Sequence, residues 1–180
     1  MTDLRHPLSG EEADRPGGRQ PPIADYGFLS DCHSAALVDR SGSVDWWCVP
    51  RFDSPSVLGR LLDPQAGHWA LRPAGAFTTD REYVGDTLVL RTVFRTESGV
   101  ITVTVTVTDA LGLEQGARGH DIGLRSPHVL LRRVEGLTGS VAMRSELAPR
   151  MEYGRTEPNL QLTERGGVAR GGPTTLALTA

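Results

Sequence analysis

The chain has 180 residues, which suits one domain with an extension, and its 21 glycines and 38% hydrophobic content favour a turn-rich β protein over a helical bundle. A formal net charge of −3 gives no general attraction to nucleic acid or to an anionic membrane surface. No stretch approaches the roughly 18 apolar residues of a membrane span, and Met1–Gln20 has no apolar core of the secretory kind, so a cytoplasmic protein is expected.

Residues 1–20 are polar and rich in Pro, Gly and charge; they read as a disordered leader, with the domain expected over 21–180. Ala35–Val38, the turn Arg40-Ser41-Gly42-Ser43 and Val44–Val49 read as a first hairpin. Ser54-Pro55 resembles a helix cap followed by Pro at the first helical position, which predicts one short helix through Leu62. Thr87–Thr96, a turn at Glu97-Ser98-Gly99 and Val100–Asp109 form a second hairpin. In its return strand Ile101, Val103, Val105 and Val107 alternate with Thr102, Thr104, Thr106 and Thr108, a period of two that buries one face and leaves a threonine ladder on the other. Four glycines between Leu111 and Arg125 predict a mobile loop. A third hairpin is expected from Val129–Glu135, a turn at Gly136-Leu137-Thr138-Gly139 and Ser140–Leu147. Leu160–Thr163 and Thr174–Ala180 read as further strands.

Successive hairpins without crossover helices imply an all-β antiparallel sandwich. The strand at Thr174–Ala180 reads as one whose partner never arrives. An unpaired edge of that kind is a hazard that natural domains avoid, so the chain is expected to be the front of a longer protein. Cys32 and Cys48 fit no zinc spacing and read as buried free thiols.

Chemistry concentrates in Gly42–Ser56, which sets Trp46, Trp47 and Phe52 beside Asp45, Arg51 and Asp53. Aromatic faces stack on sugar rings, and carboxylates and guanidinium forks hydrogen-bond sugar hydroxyls. Trp46, Trp47, Arg51, Phe52 and Asp53 are therefore the candidate substrate-binding residues. The two indoles, as strand neighbours, should point to opposite faces, one of them into the core. The bland alternative makes both packing residues, with Arg51–Asp53 a structural bridge and Phe52 an interdomain plug. Asp45 and Asp53 are the carboxyl pair nearest the aromatic residues, but eight extended residues would separate them by about 26 Å, far beyond the ~5–9.5 Å of a glycosidase pair. Asp45 is better read as a turn cap or an arginine partner, and Asp53 as a helix cap. His33, beside Asp31 and Cys32, lacks ligand geometry on a strand, and His68 and His128 read as structural. No catalytic residue, metal site or cofactor is assigned.

These residues resemble the N-terminal, trehalase-like domain of bacterial and archaeal glycoside hydrolase family 15, which includes glucoamylases, glucodextranases and trehalases. The matching stretches are Pro22–Tyr26, Ser30–Val38, Gly42–Asp63, Gly67-His68-Trp69, Tyr83 with Asp86–Leu90, His128–Gly136, and Pro149-Arg150 with Tyr153-Gly154. His33-Ser34 stands where the family has Arg-Thr. The resemblance implies a supersandwich-like β domain followed by an (α/α)6 barrel whose two glutamates perform an inverting hydrolysis. That barrel is absent here, so the chain alone is expected to be inactive and to brace the barrel, with Pro50–Asp53 reaching toward its active-site mouth. The implied partners are an α-glucoside or oligosaccharide, through the parent enzyme, and the intramolecular barrel. Neither a nucleic acid nor a membrane is implied. A free-standing carbohydrate-binding module and a partner-binding β domain are the alternatives.

Overall fold

The computed structural model describes residues 21–98 and 101–179. The expected leader at 1–20, the tip of the second hairpin at 99–100 and Ala180 lie outside the described residues. In chain order the strands are β1 (Gly27–Ser30), β2 (Ala35–Val38), β3 (Ser43–Cys48), β4 (Ser56–Leu58), β5 (His68–Pro73), β6 (Thr78–Tyr83), β7 (Leu90–Ser98), β8 (Ile101–Leu111), β9 (Leu130–Thr138), β10 (Met143–Ala148), β11 (Asn159–Thr163), β12 (Gly166–Gly171) and β13 (Thr174–Thr179). They form a six-stranded sheet ordered β1-β2-β3-β5-β10 with β4 also on β3, a four-stranded sheet β6-β7-β8-β9 and a three-stranded sheet β11-β12-β13. The all-β sandwich expected from the hairpins is the observed architecture.

The core lies between these layers. Leu29, Val38, Val44, Trp47, Val57 and Leu58 of the six-stranded sheet meet Leu90, Leu111 and Leu130 of the four-stranded sheet, with Met151 and Ala169 closing the cluster. A second cluster gathers Leu71, Phe77, Phe94, Val105 and Val107, with the two phenyl rings edge-on at 5.2 Å. Each such side chain contributes roughly 1.5–3 kcal/mol on burial. Val103, Val105 and Val107 are buried as the period of two requires. The threonine ladder is not wholly outward, because Thr106 is also buried and its hydroxyl reaches the Glu135 carbonyl at 3.4 Å.

Four expectations are corrected. The segment after Ser54-Pro55 is not a helix: Ser56, Val57 and Leu58 are all buried, and they pair with β3 through Trp47↔Leu58 and Cys48↔Ser56. Burial of three successive residues demands contact on every side, which a strand inserted at a sheet edge provides and a one-faced surface helix does not. The third hairpin does not form either. Gly136 and Thr138 stay in strand because the long β8 offers partners for them, Val105↔Gly136 and Thr104↔Thr138 across a bulge. The chain then changes layers, and β10 pairs with β5 from Met143↔Pro73 to Ala148↔His68. The last strand does have a partner, since β12 runs antiparallel to β13 from Gly171↔Thr174 to Gly166↔Thr179. Finally, Cys32 is exposed and sits at φ 68°, whereas Cys48 is buried; both thiols are free.

Two polar devices tie the layers. Arg132 on β9 donates to both carboxylate oxygens of Asp109 on β8 at 2.9 and 3.3 Å, and to the carbonyls of Trp69 and Gly42 at 2.7 Å each. Its guanidinium also lies 5.1 Å from the Trp69 ring centroid, which fixes the four-stranded sheet to the six-stranded one. At the outer edge of β1, the Tyr83 hydroxyl accepts from the Phe28 N–H at 2.8 Å and donates to the Phe28 carbonyl at 3.2 Å.

Candidate functional site

Strand β3 sorts the aromatic run. Its pairing steps from Val38↔Val44 to Leu37↔Trp46, so Asp45 is an extra, bulged residue. The bulge brings Val44 and Trp47, three apart, into the same core cluster, a pairing that strict alternation forbids. Trp47 is 7% exposed and offers no free face to a ligand, whereas Trp46 is half-buried with its ring 6.5 Å from that of Tyr153, tilted by 31°.

The chain then leaves β3 through a cis Val49–Pro50 peptide into the Pro50–Ser54 loop. The loop is pinned at its base. Phe52 N–H donates to the His33 carbonyl at 2.8 Å, and Arg51 N–H donates to Ser54 Oγ at 3.1 Å. Its side chains point outward: Phe52 is 55% exposed, and Arg51 Nε meets Asp53 Oδ1 at 2.9 Å in open solvent. The hydrogen bond from Arg51 holds the Asp53 carboxyl below its usual range, and Asp53 raises the guanidinium in turn. Asp53 caps no helix.

Asp45 has an unrelated environment. It is buried, and it accepts from Ser43 Oγ at 2.6 Å, Arg60 Nε at 2.9 Å and Tyr26 Oη at 3.1 Å. Next to it Asp39 is buried, with Ser41 Oγ on both oxygens at 2.8 Å and the Ser43 N–H at 2.7 Å. Burial raises the Asp39 carboxyl, and Asp45 adds to the effect. Burial likewise pushes the Tyr26 phenol well above its ordinary value, again reinforced by Asp45. This network locks the bulge to the 59–62 turn. Asp45 and Asp53 therefore serve different partners and share no site. Asp31, also buried, accepts from the Ser34 and His33 N–H groups at 2.6 and 3.0 Å and from the Ser126 hydroxyl, which docks the 112–129 loop on the β1–β2 turn. Among the described residues no three His, Cys, Asp or Glu side chains converge to hold a metal ion.

Sequence reasoning missed a groove of about 560 Å³ between the 63–68 turn and the 148–157 segment. Asp63, His68, Arg150, Tyr153, Arg155 and Glu157 supply its polar walls. Arg150 Nη2 lies 3.2 Å from Glu157 Oε1. Burial, with Arg60 adding to it, lowers the His68 imidazole to about 4, so it is neutral near pH 7 and can both donate and accept. The signal that would have found this wall is Tyr153-Gly154, a bulky aromatic followed at once by the residue that permits a sharp turn.

The family described as "Trehalase-like, N-terminal" matches residues 13–180. This chain belongs to that family. Among curated relatives, the trehalase-like domain is 41% identical to a trehalase of Mycolicibacterium smegmatis over 148 residues, 75% of this chain and 21% of that protein. It is 37% identical to a trehalase of Mycobacterium tuberculosis over 166 residues, 85% of this chain and 23% of that one. Trehalase 1 of Sulfolobus acidocaldarius is 43% identical over 74 residues, 41% of this chain and 13% of that protein. The trehalase-like domain thus spans 21–23% of the length of the first two trehalases. No solved structure matches it. No helix among the described residues is long and apolar enough to cross a membrane.

Proposed function

We propose that this chain is the non-catalytic N-terminal domain of a cytoplasmic, trehalase-type glycoside hydrolase of family 15, acting on an α-glucoside such as trehalose or a maltooligosaccharide. The observation that carries the reading is the match to trehalases across most of this chain and only 21–23% of theirs. The carboxylates around the aromatic run support it, because they are committed elsewhere: Asp45 to Arg60 and Tyr26, Asp53 to Arg51, Asp109 to Arg132. None has the free acid and free base that hydrolysis across a glycosidic bond requires. The domain braces a downstream catalytic barrel. Its Pro50–Ser54 loop, pinned below and exposed above, presents Arg51, Phe52 and Asp53 to the barrel's active-site mouth, with Trp46 at the loop's base. The test compares trehalose and maltotriose hydrolysis by this chain alone with hydrolysis by the complete gene product that carries it. Activity in the complete product and none in the chain is the expected result. Hydrolysis by the chain alone, or none by either, overturns the reading.

A further inference from the structure

The groove between the 63–68 turn and the 148–157 segment adjoins the Pro50–Ser54 loop only at Tyr153, whose hydroxyl reaches the Ser54 carbonyl; none of the loop's own residues lines it. Its volume, about 560 Å³, lies within the roughly 300–1,000 Å³ of small-molecule sites. Two glycines hold its walls together. A Cβ on Gly67 would stand 2.6 Å from the backbone nitrogen of Arg150, and one on Gly154 would stand 2.8 Å from Ala66 Cβ. The walls therefore approach each other as closely as backbone allows at these two points.

The second wall is also strained. Glu152, Tyr153 and Gly154 run in succession at φ 55°, 58° and 87°. For the two residues that carry a Cβ, this left-handed conformation crowds the Cβ against the following carbonyl and is disfavoured. The strain is held in place from both sides. Met151 and Thr156 exchange backbone bonds at 2.9 and 3.1 Å, and the Tyr153 N–H donates to the Ser56 carbonyl at 3.3 Å. The result is a tyrosine ring propped on Trp46, with its hydroxyl 3.4 Å from the Ser54 carbonyl, yet 46% exposed beside the groove. Strain of this kind persists where a side chain must be presented in one orientation.

Around that ring stand groups suited to hydroxyls rather than to a single charge. Arg155 is exposed, its side chain without a partner among the described residues, Arg150 and Glu157 form a paired donor and acceptor at 3.2 Å, His68 is neutral near pH 7, and Asp63 also lines the groove. A phosphate would meet Glu157 and Asp63 as well as the arginines. A polyhydroxylated ligand can use both signs, while the tyrosine face takes the apolar side of its ring.

We propose that this groove is a non-catalytic binding site for an α-glucoside, with Tyr153 as the stacking platform and Arg155, Arg150 and Glu157 as the hydroxyl partners. The polyhydroxyl class follows from the groove itself; the choice of α-glucoside rests on the function proposed above. The test is a titration of the ¹⁵N-labelled chain with trehalose, with maltotriose and, separately, with inorganic phosphate. The expected result is saturable shifts centred on 63–68 and 148–157 with a millimolar dissociation constant for one of the sugars, weakened at least tenfold by Tyr153→Ala and at least threefold by Arg155→Gln. No saturable sugar shift, shifts centred on the Pro50–Ser54 loop, or saturation by phosphate alone overturns the proposal. Should Tyr153→Ala lose the folded spectrum, Arg155→Gln decides alone. Hydrolysis by the wild-type complete product, measured in parallel, tests the parent activity independently, so a failed groove leaves that reading standing.

Discussion

Two arginine–aspartate pairs share the same chemistry and the same 2.9 Å contact, yet occupy opposite extremes of the molecule. Arg51 and Asp53 stand in solvent with side chains 66% and 72% exposed, whereas Arg132 and Asp109 are 1% and 0% exposed. In the buried pair Arg132 also donates to the Trp69 and Gly42 carbonyls and lies against the Trp69 ring, so the pair sets the spacing of two sheets. The exposed pair is screened by water and holds nothing but the shape of its own loop. A contact distance thus says little about what an ion pair does; the number of further partners says more.

The contrast can be broken by deleting one member at a time. Asp109→Ala strands a buried guanidinium and should cost about 3–5 kcal/mol in urea unfolding, while a double Asp109→Leu, Arg132→Met variant should recover much of that loss. A cost no greater than that of Asp53→Ala would sink the distinction. The neighbouring indoles repeat the comparison on one strand: Trp47→Ala should cost about 3–5 kcal/mol, and Trp46→Ala clearly less, because only Trp47 leaves a cavity in the closed core. His68 supplies a pH-dependent version. Its folded pKa of about 4 lies below the 6.5 of the unfolded chain, so the unfolded state takes up the proton first as pH falls. Its contribution is complete above pH 6.5 and is lost as pH falls toward 4; His68→Gln should flatten the stability curve across that window, and an unchanged slope would show the imidazole is not the source. The smallest effect on stability is expected at the exposed pair. Arg51→Ala should leave the melting temperature of the complete gene product within about a degree while lowering its kcat/KM more than tenfold. A fall in melting temperature without a kinetic defect would return Arg51 to a purely structural role.

Legibility from sequence followed local pattern and failed where distant partners decide. The valine–threonine alternation of β8 announces a strand with one apolar face, and the structure buries Val103, Val105 and Val107 accordingly. The indoles were legible as a divided pair, but the bulge at Asp45, which determines which of them is core, depends on the register of β2 against β3. Gly136–Gly139 has the composition of a turn, yet most of it stays in strand because β8 extends far enough to pair with it. Ser54-Pro55 has the chemistry of a helix start, but the open edge of β3 takes the following residues as β4. Strand β12, with glycine at three of its six positions, carries no β signal of its own and is made a strand by lying between β11 and β13. In the candidate site the exposed loop was visible from its mixture of aromatic and charged residues. The groove was not, since its two walls lie some eighty residues apart in the chain and are brought together by the β5–β10 pairing and the close approaches at Gly67 and Gly154.

The clasp of Tyr83 on Phe28 bears on how the protein keeps its own company. The outer edge of β1 would otherwise present an N–H and a carbonyl to any passing strand, in this chain or another. One phenol, offering an acceptor to the first and a donor to the second, stands in for the strand that does not come. Removing a single oxygen, as in Tyr83→Phe, leaves the ring in place and unlocks that edge, so its cost should be read less in melting temperature than in how concentrated a solution stays clear.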